Sequence, residues 1–165
     1  MVEAGSSVAV GACWVNGRLV EPGTATVRAD DHAVVVGDGV FETMRIVDGA
    51  AFALGRHLRR LDRSASGLGL DEPDEDLIRT AIHEVLAADP SAGLLRITWS
   101  SGAGPWGSGR GDGPGTLVVG TGPGNVWPAA ERVHLVQWRR NEHGPLVGLK
   151  TTSYAENVLA LTTAR

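Results

Sequence analysis

Lysine is almost missing from this chain of 165 residues. Lysine and arginine total 15, and 14 of the 15 are arginine, which leaves Lys150 alone. Where a positive charge has only to sit on a surface, arginine serves as well. A primary amine is different: arginine neither condenses with an aldehyde nor loses its proton near neutral pH, and lysine does both. A GC-rich coding bias would also leave one lysine, so the count alone keeps both explanations open. Cysteine is equally scarce. Cys13 is the only one, which excludes an internal disulfide and agrees with a reducing compartment. One cysteine and five scattered histidines form no zinc-ligand spacing, so no metal is expected. No apolar run approaches the ~18 residues of a membrane span. Met1 to Val10 lacks the basic and then apolar pattern of a signal peptide. A net charge of −4 provides no overall basic field for nucleic acid or an anionic membrane. The expectation is a cytoplasmic protein with neither partner.

What is present suffices for a core: 42% of the residues are hydrophobic, enough for one domain or one domain and the start of another. Two hairpins come first. Trp14 to Val20 carries an Asn16-Gly17 turn between short strand pieces. Val40 to Ile46 reads as a strand, Asp48-Gly49 as its turn, and Ala51 to Leu54 as the return. The period then changes. Leu54, Leu58, Leu61, Ala65 and Leu68 recur at helical spacing, with Gly69 as the stop. Asp71 to Asp76, acidic and containing Pro73, opens a second helix with Leu77, Ile78, Ala81, Ile82, Val85 and Leu86 on one face, ending near Pro90. Leu94 to Trp99, Thr116 to Val119 and Val133 to Trp138 read as strands. Residues 101–115 read as a mobile loop and 120–128 as a linker. Ser153, with Glu156 three residues on, forms a capping box for a last helix still running at Arg165. The pattern predicts an α/β (α+β) domain in which a mainly antiparallel sheet packs on helices near 55–68 and 74–88.

Three features bear on chemistry. Gly102-Ala103-Gly104-Pro105-Trp106-Gly107 has the spacing of a dinucleotide fingerprint, but no helix follows on which a pyrophosphate could rest, so it reads as a loop. Arg56, His57, Arg59, Arg60 and Arg63 make one helix basic, ordinarily a solvated face. Arg60 precedes the core position Leu61 and so borders the buried stripe, from which it could reach an anion in a cleft. Arg59 and Arg63 should face solvent. Lys150 lies three residues before Ser153, close to a helix N-terminus, a setting that favours a neutral nucleophile.

Taken in order, these segments resemble the class IV aminotransferases, the pyridoxal 5'-phosphate (PLP) enzymes of fold type IV. The resemblance is carried by Val15-Asn16-Gly17, Asp30-Asp31-His32 and Gly37-Asp38-Gly39-Val40-Phe41-Glu42-Thr43. It continues through Gly49, Leu54, His57-Leu58-Arg59-Arg60-Leu61, Ser64-Ala65 and Leu95-Arg96-Ile97. It ends on Leu149-Lys150-Thr151-Thr152-Ser153-Tyr154 and Asn157-Val158-Leu159-Ala160. The resemblance places the family's Schiff-base lysine on Lys150, which would form the internal aldimine and shuttle the proton during transfer. It implies that Arg60 binds the cofactor phosphate, that Phe41 and Val36 line the substrate side, and that Arg96 meets a substrate carboxylate. Many relatives carry an aromatic where Val36 stands, which implies a more open wall here.

Gly37-Asp38-Gly39 looks more like the D-amino-acid aminotransferases and 4-amino-4-deoxychorismate lyases than the branched-chain enzymes. The implied activity is transamination of an amino acid with a keto acid; the alternative is aminodeoxychorismate lyase chemistry on the same lysine. The resemblance also implies a homodimer, and a division into a small domain (1–125) and the beginning of a PLP-binding domain (126–165). Family members are considerably longer, and the glutamate that pairs with their pyridinium nitrogen lies beyond the lysine. Glu156 is too near Lys150 to be assumed a substitute. A truncated or fragmentary chain, inactive alone, is therefore expected, and a non-catalytic remnant is the competing reading.

Overall fold

The computed structural model describes residues 11–164. Strands β1 (Cys13–Val15) and β2 (Arg18–Val20) flank Asn16 and Gly17, both at positive φ, as a two-residue hairpin turn requires. A short helix α1 (His32–Val35) leads into β3 (Gly39–Val47). Asp48 and Gly49 turn the chain, but the return strand β4 is only Ala50–Ala51. Ala53 takes a left-handed conformation and α2 (Leu54–Leu68) begins at once, so helical periodicity prevails over alternation at Leu54. Helix α3 (Glu75–Ala88) is capped by Asp74, whose carboxylate accepts the Leu77 N–H at 3.0 Å. Strands β5 (Leu94–Ser100) and β6 (Thr116–Gly122) complete a sheet of order β2-β1-β6-β5-β3-β4, antiparallel throughout. Helix α4 (Ala155–Thr163) follows a long irregular stretch.

The helices cover one face of this sheet. Alternation along the strands sends Val40, Met44, Leu95, Ile97, Leu117, Val119 and Trp14 toward it. Against them α2 presents Leu58, Leu61 and Ala65 over β3, and α3 presents Ile78, Ala81, Ile82 and Val85 over β6 and β1. Truncating a core leucine such as Leu61 to alanine costs roughly 2–5 kcal/mol through lost transfer energy and the cavity left behind. The opposite face carries Phe41, Thr43, Arg96 and Thr98 in register, and none of these helices covers it.

Three expectations need correction. Val133 to Trp138 is not a strand: both sides of β6 are already taken by β1 and β5, and the segment pairs with no strand among the described residues. Val133 and Leu135 are each 87% exposed. Strand β6 runs to Gly122, so the linker starts three residues later than composition suggests. Residues 101–115, expected to be mobile, are tethered. The Arg110 guanidinium grips both oxygens of Asp38 at 2.7 Å and reaches the carbonyls of Leu68 and Gly69 at the end of α2. This contact holds the Asp38 carboxyl below the usual carboxylate range.

Candidate functional site

Lys150 is built onto the sheet edge. The Phe41 N–H donates to the Lys150 carbonyl at 3.0 Å, and the Thr152 N–H donates to the Gly39 carbonyl at 2.8 Å. Residues 150–152 thus occupy the edge of β3 that the short β4 leaves free, with Val40 opposite Thr151. The Gly37-Asp38-Gly39 turn receives this segment. Gly37 sits at φ +73°, and its carbonyl accepts the hydroxyls of Thr152 (2.8 Å) and Ser153 (3.1 Å). A Cβ on Gly37 would stand 2.7 Å from the Ser153 hydroxyl, and one on Gly39 2.9 Å from the Trp99 carbonyl oxygen. Helix α2 holds the other side. Ser64, fully buried, accepts the Lys150 N–H at 3.1 Å, and Gly67 admits the Leu149 side chain. Arg60, Ser64 and Gly67 are spaced i, i+4 and i+7, so one face of α2 looks at the lysine segment.

Ser153 is therefore not a helix cap. Its hydroxyl goes to Gly37, and α4 starts at Ala155 behind Tyr154, whose side chain makes no capping bond. The packing around Gly37 carries a prediction. Gly37→Ala puts an ordinary residue into a left-handed conformation, at about 1–2 kcal/mol, and pushes on Ser153. We expect urea unfolding to show a loss of about 1–3 kcal/mol, against under about 0.5 kcal/mol for Gly23→Ala in open space. Equal losses would show that the turn is not tightly packed.

Three side chains converge on Phe41, which is 4% exposed. The Lys150 Nζ lies 4.1 Å from its ring centroid and the Arg96 guanidinium carbon 3.9 Å. Tyr154 meets the same ring edge-on at 5.1 Å, with Lys150 Nζ 5.4 Å from the tyrosine ring. Cation–π attraction explains why each cation settles there. It does not neutralise them. Among the described residues neither Lys150 nor Arg96 has an ion-pair partner, and Arg96 donates only to the Thr98 hydroxyl at 3.3 Å. Arg96 is exposed as a residue, and partial burial of its guanidinium against the Phe41 ring pushes it below its ordinary range. Two unpaired cations on one aromatic ring call for an anion.

Arg60 lies one turn before Ser64, on the face of α2 that meets the Lys150 segment. Its guanidinium is bidentate to Glu42, Nε and Nη2 each 2.5 Å from a carboxylate oxygen. Glu42 is fully buried, and His57 Nδ1 lies 2.7 Å from the same carboxylate. Burial pushes the Glu42 carboxyl up, but the Arg60 and His57 hydrogen bonds outweigh it and hold it below the usual range. Arg59 and Arg63 are exposed, as their spacing predicts. Val36, the residue that caps the end of α1, is 45% exposed. Glu156 is also apart, 3.8 Å from Arg140 near the surface.

Phe41, Arg96 and Lys150 are thus brought together at one ring; Arg60 lies on the α2 face that meets the Lys150 segment, and Val36 is half-exposed just after α1. Sequence reasoning singled out neither Glu42 nor Tyr154. Each left a signal. Glu42 puts a charge in register with the core residues Val40 and Met44, and Tyr154 is the chain's only tyrosine, four residues after its only lysine.

Known proteins resemble this chain in sequence and in fold. A bifunctional aminodeoxychorismate lyase / D-amino acid transaminase of Mycobacterium tuberculosis is 39% identical over 92 residues, covering 53% of this chain and 32% of the relative. The branched-chain aminotransferase of Thermoproteus uzoniensis, solved with norvaline, superposes with a TM-score of 0.80 at 26% identity, over 95% of this chain and 57% of that one. A hypothetical aminotransferase from Mycobacterium tuberculosis in its PLP-bound form superposes with a TM-score of 0.73 at 29% identity, over 93% and 58%. The chain thus spans less than two thirds of each of these proteins. The amino-transferase class IV family model matches residues 39–165. That stretch contains β3, both core helices and the entire Lys150 cluster, and by it this chain belongs to the class IV aminotransferase family.

Proposed function

We propose that this chain carries the lysine half of a PLP-dependent active site whose reaction is transamination between an amino acid and a keto acid. The observation that carries the reading is the group at Phe41: a single lysine amine and a guanidinium against one buried ring, with no carboxylate paired to either among the described residues. That donor set fits an aldehyde-bearing dianion and a substrate carboxylate. When bound, PLP supplies the electron sink that stabilises a carbanion at the substrate α carbon. The chain's own residues do the rest. Lys150 would hold the aldehyde end of the cofactor through its amine, and the same amine would hold or release the proton at the substrate α carbon. Arg60 would hold the phosphate. Arg96 receives the substrate carboxylate, Phe41 walls the site, and Val36 lines its substrate side, leaving that wall open.

Residues 1–125 act as a small domain in this reading, and 126–165 begin the cofactor-binding one. The full-length protein is a homodimer with its cleft at that boundary, which its solution mass checks. A second reading is aminodeoxychorismate lyase, favoured by the Gly37-Asp38-Gly39 turn and by the double name of the mycobacterial relative. The experiment separates the two. Full-length protein loaded with PLP is offered D-alanine or a branched-chain L-amino acid with 2-oxoglutarate, and separately 4-amino-4-deoxychorismate alone. Glutamate formation that requires 2-oxoglutarate supports transamination. Pyruvate release from 4-amino-4-deoxychorismate without an acceptor supports the lyase. Neither product would overturn both. In either case Arg96→Ala should raise KM for the anionic substrate about 10- to 100-fold, the worth of one charge-assisted hydrogen bond, and leave PLP affinity unchanged. An unchanged KM would remove Arg96 from the site.

A further inference from the structure

Glu42 takes no part in the chemistry proposed above, yet it is a fully buried carboxylate one residue from Phe41. Alternation on β3 sends Phe41 to the open face of the sheet and Glu42 to the face under α2. An ionised carboxylate there is costly unless it is paired and hydrogen-bonded. Glu42 is both. One oxygen accepts from Arg60 Nε, and the other accepts from Arg60 Nη2 and His57. Because the carboxylate has no proton to give, His57 must donate from Nδ1. The Arg60 guanidinium is therefore held by one edge. Nη1 makes no bond to Glu42, and the side chain as a whole remains 43% exposed.

We propose that Glu42 is the positioning residue for Arg60: by gripping the Nε–Nη2 edge it aims the Nη1 edge out of the core and presents it, already ordered, to the phosphate of the cofactor. The inference rests on the reading of Arg60 as a phosphate ligand. Its physical basis is rotamer freedom. A free arginine side chain carries about 2 kcal/mol of rotamer entropy, which a ligand must otherwise remove on binding. Glu42 removes it beforehand from a fixed strand, with His57 steadying the carboxylate. The same ion pair partly neutralises Arg60 and so weakens its bare attraction for an anion. The two effects have opposite signs, which makes the proposal testable. Positioning predicts that loss of the Glu42 charge weakens phosphate binding; simple charge balance predicts that it strengthens it.

The measurement is the affinity of the full-length protein for PLP and for pyridoxal, which lacks the phosphate. The ratio of the two dissociation constants reads the phosphate contribution alone. Arg60→Ala should collapse that ratio, and if it does not, the reading of Arg60 fails. Glu42→Gln should lower the ratio about tenfold, the scale of one misaligned charge-assisted contact, with pyridoxal affinity unchanged. The Glu42→Gln/Arg60→Ala double variant should match Arg60→Ala, because Glu42 acts only through Arg60. A collapsed ratio in Arg60→Ala with an unchanged or raised ratio in Glu42→Gln would overturn the positioning role and leave Arg60's role standing. Should Glu42→Gln fail to fold, Glu42→Asp keeps the charge but draws the carboxylate back by one methylene. Its ratio must then fall with pyridoxal affinity intact, and an unchanged ratio would equally overturn the proposal.

Discussion

Full-length protein carrying Lys150→Ala is expected to lose the cofactor's lysine-dependent visible absorption and all turnover. The argument starts from composition. With 14 arginines and one lysine, no neighbouring side chain within this chain can replace the amine. The structure adds placement: Nζ lies 4.1 Å from the centre of the Phe41 ring, on a backbone pinned by β3 and by Ser64. A surface lysine has none of these restraints. Lys150→Arg separates charge from chemistry. It keeps a cation against Phe41 but cannot condense with an aldehyde, so PLP should still bind through its phosphate while the visible band stays absent. Borohydride reduction of the unaltered protein should leave the pyridoxyl group on the peptide containing Lys150, which mapping distinguishes from the terminal amine. An unchanged band in Lys150→Ala would remove the central claim.

Much of this architecture is legible in the sequence, for local reasons. Asn16-Gly17 and Asp48-Gly49 form turns because their residue types tolerate positive φ. The stripe Leu58, Leu61 and Ala65 buries itself because nothing competes with its period. What failed depends on partners that no window of sequence contains. Val133 to Trp138 has the composition of a strand, but a strand exists only where an edge is free to receive its hydrogen bonds. Ser153 and Glu156 match a capping box, but the Ser153 hydroxyl is drawn to the Gly37 carbonyl, 116 residues away. The site divides in the same way. Lys150 stands out by rarity and Arg60 by its place beside Leu61. Tyr154 is harder to see, because its proximity to Phe41 arises only when residues 150–152 lie along β3. Val36 is assigned to a pocket wall by the resemblance alone; within this chain it is the half-exposed residue that follows a four-residue helix.

Arg60→Ala is expected to produce two separable effects, and Arg59→Ala neither. The first is a large loss of PLP affinity, on the order of 10- to 100-fold or more for a charge-assisted contact to phosphate. Arg59 is exposed and points elsewhere, so its removal should cost little. The second effect is on folding and its pH dependence. In the unaltered protein the folded-state pKa of Glu42 lies below its unfolded value, so its contribution is complete above the unfolded pKa of about 4.3. That contribution is lost as pH falls through the folded pKa. Without Arg60, burial loses its main opponent and only His57 remains. The folded-state pKa should then rise, which reverses the sign: stability now falls as pH climbs from the unfolded pKa toward the raised folded one. Stranding a buried charge can cost about 3–5 kcal/mol, an upper bound here because Arg60 is 43% exposed and solvent screens part of the pair. Urea unfolding between pH 3 and pH 7 measures this directly. The variant's deficit against the unaltered protein should be greatest near neutral pH and shrink in acid. A deficit that is constant with pH would mean that Glu42 does not depend on Arg60 for its charge, and losses as large in Arg59→Ala would dissolve the distinction between the two arginines.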